Sequence, residues 1–184
     1  MIVPHATSNW LHVNMQCSST TCRAVLQSCA RPEDRQVAAW MIGYGTQSRK
    51  QIALLVRASR DEDETVRNNA VRALVVLANS SSKTASEIPP NSFIEMLNSG
   101  IWTDRNKAGG LLMELSRNRN PKLLQQLKST VFPSLIEMAK WDPDHAEESR
   151  ILLGRTAGLE EARIHQLIDS GRANEILAAV GAAQ

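Results

Sequence analysis

The sequence predicts an all-α fold, a right-handed α-solenoid built from about five antiparallel helical hairpins. An apolar pattern with helical spacing recurs along the chain, and loops rich in Pro, Asp and Ser separate its copies. No alternation of apolar and polar residues, the mark of a strand, competes with this pattern. Hydrophobic residues make up 42% of the sequence but aromatic residues only 4%, which favours the aliphatic core of packed helices.

The clearest copy of the pattern lies in the first half of the chain. Acidic residues at 61–64 precede a stretch in which Val66, Ala70, Leu74 and Leu77 recur at spacings of three and four residues. Such spacing places them on one face of an α-helix, and the acids stand near its positive end. We interpret the acidic run as a turn and helix start rather than a metal or acid–base site, because nothing makes two carboxylates face one substrate.

The same helix returns at three other places. The residues equivalent to Ala70 are Ala39, Ala108 and Ser149, at successive steps of 31, 38 and 41 residues. Another apolar helix precedes each copy, and the tripeptide Ile-Glu-Met occurs at 94 and again at 136. The sequence therefore predicts a single domain over 1–184 whose repeats cover roughly 15–45, 50–78, 90–117, 122–158 and 160–182.

Proline and glycine mark the expected ends of these helices. Pro121 is placed to start a helix, and Pro133 to begin or kink the next one. The Ser-rich segment 79–91 is expected to be the longest loop. Gly43 is expected to end a helix, and the pair at 109–110 to permit close helix packing.

The stretch 61–77 resembles the HEAT repeat, a family with Asp in the turn between two helices, then Val-Arg, then Ala. The best match covers 52–78, and weaker copies span most of the chain. The third and fourth copies depart from the family pattern, because Asp104 and His145 stand where Val66 stood. The resemblance implies a curved stack of antiparallel helix pairs whose inner helices line a concave surface.

In the HEAT family that surface usually binds another macromolecule. The resemblance therefore implies a non-enzymatic scaffold that binds a protein or peptide on its concave or repeat-edge surface. We expect no catalytic residue, no metal and no cofactor, and a monomer or weak self-association. The residues predicted to contact the partner are Arg67, Trp102, Asp104, Arg105, Asn106, Lys107 and Trp141.

The centre of this candidate surface is the polar stretch 102–107. Thr103 or Asp104 can cap the helix, and the basic residues that follow would lie in its first turn, where free N–H groups attract anions. The alternative, which we favour, is that Arg67 and Arg105 form a structural ladder to carbonyls or Asp of the adjacent repeat. Likewise, the four tryptophans either anchor an interface or fill gaps between hairpins, and these residues are Trp10, Trp40, Trp102 and Trp141.

A second functional hypothesis is nucleic-acid binding by a DNA-repair glycosylase built on HEAT-like repeats. Trp102 would stack on a base, and Asp104 would supply the acid. The phosphate contacts would come from Arg67, Arg105, Lys107, Arg117 and Arg119. The net charge of +2 and the absence of a basic run make this the weaker hypothesis.

The cysteines and the N-terminus complete the sequence-based expectations. Cys17, Cys22 and Cys29 lack the spacing of a zinc site, and reduced thiols are favoured over a single bridge. His145 and His165 belong to no known nucleophile signature. Because the start of the chain lacks a signal peptide and no stretch is long enough to span a membrane, we expect a cytoplasmic protein. A truncated N-terminus would leave a periplasmic or secreted location open.

Overall fold

The computed structural model describes residues 19–45 and 48–182, and these ranges contain twelve α-helices and no strand. The all-α prediction is confirmed. In chain order the helices are α1 (Ser19–Ser28), α2 (Pro32–Ile42), α3 (Arg49–Ala58), α4 (Glu64–Ser80), α5 (Ser82–Glu87), α6 (Asn91–Met96), α7 (Trp102–Leu115), α8 (Pro121–Thr130), α9 (Phe132–Met138), α10 (Pro143–Thr156), α11 (Glu161–Asp169) and α12 (Asn174–Ala182). No helix in the described ranges is long and apolar enough to cross a membrane.

The chain divides into two compact units, the first ending at Ala73. In this unit α1 packs against α2 and α3, and α2 also packs against α3. Helix α3 starts with a capping box, because the Ser48 hydroxyl accepts from the N–H of Gln51 while the Gln51 amide oxygen accepts from the N–H of Ser48. Gly43 follows the end of α2 as predicted, and a Cβ added there would lie 2.9 Å from the Cβ of Ala73.

The second unit runs from Leu74 to the end of the chain. Within it α7 packs against α5 and α6, and α10 packs against α7, α8, α9, α11 and α12. The helices thus form two successive groups of three, α5–α7 and α8–α10, before the final pair. Pro121 and Pro133 both lie in the first turn of a helix, as the sequence indicates.

The prediction of a loop at 79–91 is wrong in part, because α4 extends to Ser80 and α5 occupies much of the remaining segment. The hydroxyl of Ser81 accepts a hydrogen bond from the backbone N–H of Thr84 at 3.1 Å. The serine run therefore supplies a helix cap, a role that sequence composition does not distinguish from a loop.

Two glycines allow helices of the second unit to approach closely. A Cβ added to Gly109 in α7 would lie 3.3 Å from Cε of Met138 in α9, which agrees with the packing role expected for this pair. The approach at Gly154 in α10 is closer, because its added Cβ would lie 2.6 Å from Cγ1 of Ile164 in α11. Ile164 is fully buried, so its side chain has no room to move away.

Gly154→Ala and Gly110→Ala should change stability in opposite directions. Both glycines lie inside helices, so alanine contributes about 1 kcal/mol of helix propensity at either position. At Gly110 the nearest atom to an added Cβ is 4.0 Å away, and we expect this variant to be more stable than the wild type. At Gly154 the contact with Ile164 should make the net change a loss of about 1 to 3 kcal/mol.

Urea unfolding followed by circular dichroism measures both free energies of unfolding. Equal shifts in the same direction for the two variants would contradict the close approach at Gly154.

Candidate functional site

The fourth residue of α2 and the fourth residue of α4 make the same contacts. Nη1 of Arg67 donates to the carbonyls of residues 61 and 62 at 2.9 and 3.0 Å. Nη1 of Arg35 donates to the carbonyls of residues 29 and 30 at 3.1 and 3.0 Å. Both arginines therefore reach six and five residues back and satisfy the carbonyls of the loop before their own helix.

This equivalence changes the repeat register derived from the sequence. If Arg35 corresponds to Arg67, then Ala38, rather than Ala39, corresponds to Ala70. Both Ala38 and Ala39 are buried, so the small-residue pattern alone fits either register. The arginine contacts decide between them.

Arg35 also joins α2 to the loop between α3 and α4. Its Nη2 and Nε donate to the two carboxylate oxygens of Asp61 at 2.7 and 2.9 Å, and the Arg35 side chain is only 9% exposed. Burial opposes ionisation of Asp61, yet the hydrogen bonds from Arg35 and from the N–H of Asp63 outweigh it and lower the pKa of Asp61. Asp63 accepts from the N–H of Val66 at 2.9 Å, so the acidic run forms the turn and the helix start.

Arg105 makes the contact between successive repeats that the ladder hypothesis expects. Its Nη1 and Nη2 donate to the two oxygens of Glu137 in α9 at 3.0 and 3.1 Å, and Nη2 also donates to the Ser134 carbonyl at 3.3 Å. The hydrogen bond from Arg105 is the main reason that the pKa of Glu137 lies below its ordinary value. Arg67 instead donates to the loop of its own helix pair, and Arg35, which was not predicted, reaches the next loop.

The helix start at α7 differs from the predicted one. Helix α7 begins at Trp102, and neither Thr103 nor Asp104 is its N-cap. Instead the hydroxyl of Ser99 accepts from the N–H of Ile101 at 3.1 Å and donates to Oδ2 of Asp104 at 3.2 Å. The cap prediction is wrong because the N-cap residue is Ile101, whose side chain cannot accept a hydrogen bond, and Thr103 and Asp104 already lie in the first turn of α7.

Two of the predicted partner-contacting residues lie inside the protein. Asp104 and Asn106 are 7% and 8% exposed. The ammonium group of Lys107 donates to Oδ1 of Asn106 at 2.9 Å. These three side chains therefore contribute to the local packing of α7, and little of Asp104 or Asn106 reaches the surface.

The other predicted residues of the second unit come together in an aromatic group. The Trp102 and Trp141 rings lie 5.9 Å apart, and His145 meets Trp102 edge-on at 4.8 Å. The Arg105 guanidinium lies 5.0 Å from the centre of the Trp141 ring. We name Trp102, Trp141 and His145 the aromatic surface, since Trp102 is 44% exposed, His145 is exposed and Trp141 is half-buried.

Sequence reasoning missed His145 as part of this surface. The available signal was its position, because His145 replaces the buried apolar residue of the repeat pattern at the start of α10. Trp40 is also exposed, at 47%, and meets Tyr44 edge-on at 5.3 Å in the first unit. Trp10 lies outside the described residues.

Three of the five basic residues that the nucleic-acid hypothesis requires are paired with carboxylates. Arg117 lies 2.8 Å from Glu114, and Arg119 lies 3.0 Å from Glu161. Arg105 is bound to Glu137 as described above. Asp104, the acid that this hypothesis needs, is buried rather than presented on the surface.

A buried arginine that the sequence did not single out organises the C-terminal helices. Arg155 in α10 is 5% exposed, and its Nη2 donates to Oε1 of Glu161 at 2.5 Å. Its Nη1 donates to the Ser116 hydroxyl at 2.8 Å and to the Met113 carbonyl at 2.5 Å. The hydrogen bonds from Arg155 and, more weakly, Arg119 outweigh burial and lower the pKa of Glu161 to about 2.

The described cysteines, Cys22 and Cys29, differ in their oxidation state. Cys22 is disulfide-bonded, so the expectation of a reduced thiol is wrong for this residue. Cys29 is a free thiol, and its Sγ donates to Oδ2 of Asp34 at 3.5 Å. Cys17 lies outside the described residues. In the part of the chain that the structure describes, no three His, Cys, Asp or Glu side chains are grouped to hold a metal ion.

Comparison with known proteins agrees with the helical repeat architecture. A family model of HEAT repeats matches residues 21–106. No curated protein matches this chain by sequence.

Several solved structures share the fold at low sequence identity. A designed armadillo repeat protein, YIII(Dq.V1)4CPAF in complex with the peptide (KR)4, is 14% identical with a TM-score of 0.62, and the match covers 97% of this chain and 85% of that one. A second match is to an armadillo repeat protein that was computationally designed for modular peptide recognition. It is 16% identical with a TM-score of 0.60, and the match covers 89% of this chain and 79% of that one. A third match is to an engineered protein of the Northeast Structural Genomics Consortium. It is 17% identical with a TM-score of 0.63, and the match covers 98% of this chain and 84% of that one.

Acid should weaken the fold through Glu161. Its pKa falls from an ordinary 4.5 to about 2 on folding, so the stabilisation is complete above about pH 4.5 and is lost as the pH falls towards 2. We expect a contribution of about 1 to 2 kcal/mol, because the 40% exposure of the Glu161 side chain lets solvent screen part of the interaction. Urea unfolding at about pH 5 and about pH 3 measures the difference.

Glu161→Gln should flatten this dependence on pH. Glu160→Gln removes one negative charge from an exposed neighbour and serves as the control, with a slope close to that of the wild type. A Glu161→Gln variant that keeps the full wild-type slope would show that another carboxylate is responsible.

Proposed function

We propose that this chain, whose residues 21–106 match a family model of HEAT repeats, acts as a non-enzymatic scaffold that holds a protein or peptide on the aromatic surface. The fold supports the proposal, because stacked helical repeats present extended binding surfaces. Two of its structural neighbours are armadillo proteins described as bound to a peptide or designed for peptide recognition. The surface lies at one end of the helices, where α7 begins and the loop before α10 ends.

The observation that carries the proposal is the exposure of Trp102. A tryptophan that is 44% exposed leaves a large apolar area in water, although Trp141 and His145 both lie against its ring. Covering that area with a partner removes it from water at about 25 cal/mol per Å². Tryptophan is also enriched among the residues whose truncation costs an interface most.

The contacts around Trp102 hold the surface in one arrangement. Arg105 is fixed by both oxygens of Glu137 and lies over Trp141, which in turn contacts Trp102. A partner therefore meets rings that are already ordered and loses less conformational entropy on binding. In this proposal Arg105 and Glu137 position the aromatic surface, while Arg67, Asp104, Asn106 and Lys107 stabilise the loops and helix starts.

The charges beside the aromatic surface favour a basic partner. Glu137, Asp142 and Asp144 are exposed acids in the segment that contains Trp141 and His145, and Lys140 is the exposed base among them. Since Glu137 is bound to Arg105, the carboxylates of Asp142 and Asp144 are the ones placed to attract cationic side chains. We propose a short segment with an apolar anchor for Trp102 and Lys or Arg next to it.

Peptides selected from a random display library should depend on Trp102. Trp102→Ala should weaken binding of the selected peptides by about 30-fold, the factor that corresponds to the loss of about 2 kcal/mol at a hot-spot residue. Fluorescence polarisation with labelled peptides measures the dissociation constants.

Trp40→Ala is the matched control, because Trp40 is 47% exposed and lies in the other unit. It removes the same side chain at similar exposure and should leave the affinity unchanged. A selection whose peptides bind the wild type and Trp102→Ala equally well would refute the assignment of the aromatic surface.

A further inference from the structure

A second candidate binding site lies in the same unit, in a cavity between α5, the end of α7 and the start of α8. Its volume is about 280 Å³. This is near the lower end of the range for cavities that hold small ligands. The apolar part of the wall includes Ala85, Ile88, Leu115 and Leu123. The exposed residues Asn118 and Asn120 lie at its mouth, so the cavity combines an apolar interior with a polar opening.

The carboxylate of Glu114 is the buried charged group of this cavity, whose lining also includes Arg117. Its side chain is only 5% exposed, although Glu114 is the next-to-last residue of α7. A carboxylate so removed from water needs a cation or several hydrogen bonds to remain ionised. The groups that already pair with the Glu114 carboxylate therefore determine which ligands the cavity can bind.

Within the protein Glu114 is paired with Arg117 in an incomplete way. Nη2 of Arg117 donates to Oε1 at 3.1 Å, and Nε lies 2.8 Å from Oε2. The second contact is short but poorly aligned, so Oε2 accepts no hydrogen bond of good geometry. The Arg117 side chain is 65% exposed and approaches Glu114 from the solvent side.

We propose that this cavity binds a guanidinium or amidinium group carried on a small apolar body, which pairs with Glu114 in place of Arg117. A planar cation of this type can donate to both carboxylate oxygens in parallel, which is the arrangement Arg117 only partly achieves. The apolar body packs against Ile88 and Leu123 while Arg117 returns to water. The ligand supplies its own cation to the buried carboxylate, so Glu114 stays paired when Arg117, whose side chain is mostly exposed, leaves it. The site is separate from the aromatic surface and does not depend on its function.

Benzamidine and N-acetylarginine methylamide are suitable probes, with neutral benzamide as the isosteric control. Two-dimensional NMR titration of the full chain should show saturable binding of the cationic probes, with dissociation constants on the order of 1 mM for ligands of this size. Benzamide should not bind. Tighter binding of the arginine derivative would assign the site to a protein side chain, and tighter binding of benzamidine to a free small molecule.

Four variants separate this mechanism from nonspecific attraction of cations. Glu114→Gln should weaken binding at least about tenfold, because it removes the charge-assisted hydrogen bonds. Ala85→Leu should abolish binding by filling the cavity while it leaves Glu114 in place. Arg117→Gln should tighten binding about three- to fivefold, because it removes the internal competitor. Lys122→Gln removes a positive charge from an exposed residue of α8 outside the cavity and should leave the affinity unchanged.

Thermal unfolding of each variant shows whether it is folded before binding is measured. The proposal is overturned if benzamide binds as well as benzamidine, if neither cationic probe binds, or if folded Glu114→Gln retains the wild-type affinity. Weaker binding by Arg117→Gln would also overturn it, since exchange requires Arg117 to compete with the ligand.

Discussion

Buried or half-buried arginines fix the positions of helices in both units of this protein. Arg35 binds Asp61 in the first unit, and Arg105 and Arg155 bind Glu137 and Glu161 in the second. Each guanidinium donates to a carboxylate and also to one or more other oxygens, so its several donors are used at once. Burial of an aliphatic core makes the helices pack together, but it does not specify their arrangement. The directional contacts of the arginines determine which loops and helix ends lie next to each other.

The use of arginine for structure has a consequence for function. Because Arg105 is bound by Glu137, it acts on the aromatic surface by holding Trp141 rather than by presenting a free positive charge. The surface that we propose for a partner is consequently aromatic and acidic. By contrast, the poorly aligned pair of the exposed Arg117 and the buried Glu114 lacks the additional contacts that fix the other arginines. In this pair we expect an external cation to replace Arg117.

Much of the fold was predictable from the periodicity of apolar residues. The helix carrying Val66, Ala70 and Leu77 lies where the pattern placed it, with these residues buried. The Ser-rich stretch was misinterpreted, because serine is common both in loops and in helix caps. The candidate site was predictable in part. Trp102 and Trp141 do contact each other. Asp104, in contrast, is buried and accepts a hydrogen bond from Ser99, a residue that the repeat pattern does not identify.

What the sequence determined by itself is the helical class and the recurrence of small and apolar residues, because these follow from local spacing that every copy must satisfy. The tertiary structure decided the register of the first copy and the use of each charged side chain. Ala38 and Ala39 are both buried, and only the contacts of Arg35 identify the equivalent of Ala70. It also decided the exposure of Trp102, since an indole ring fits a core or an interface equally well until its neighbours are known.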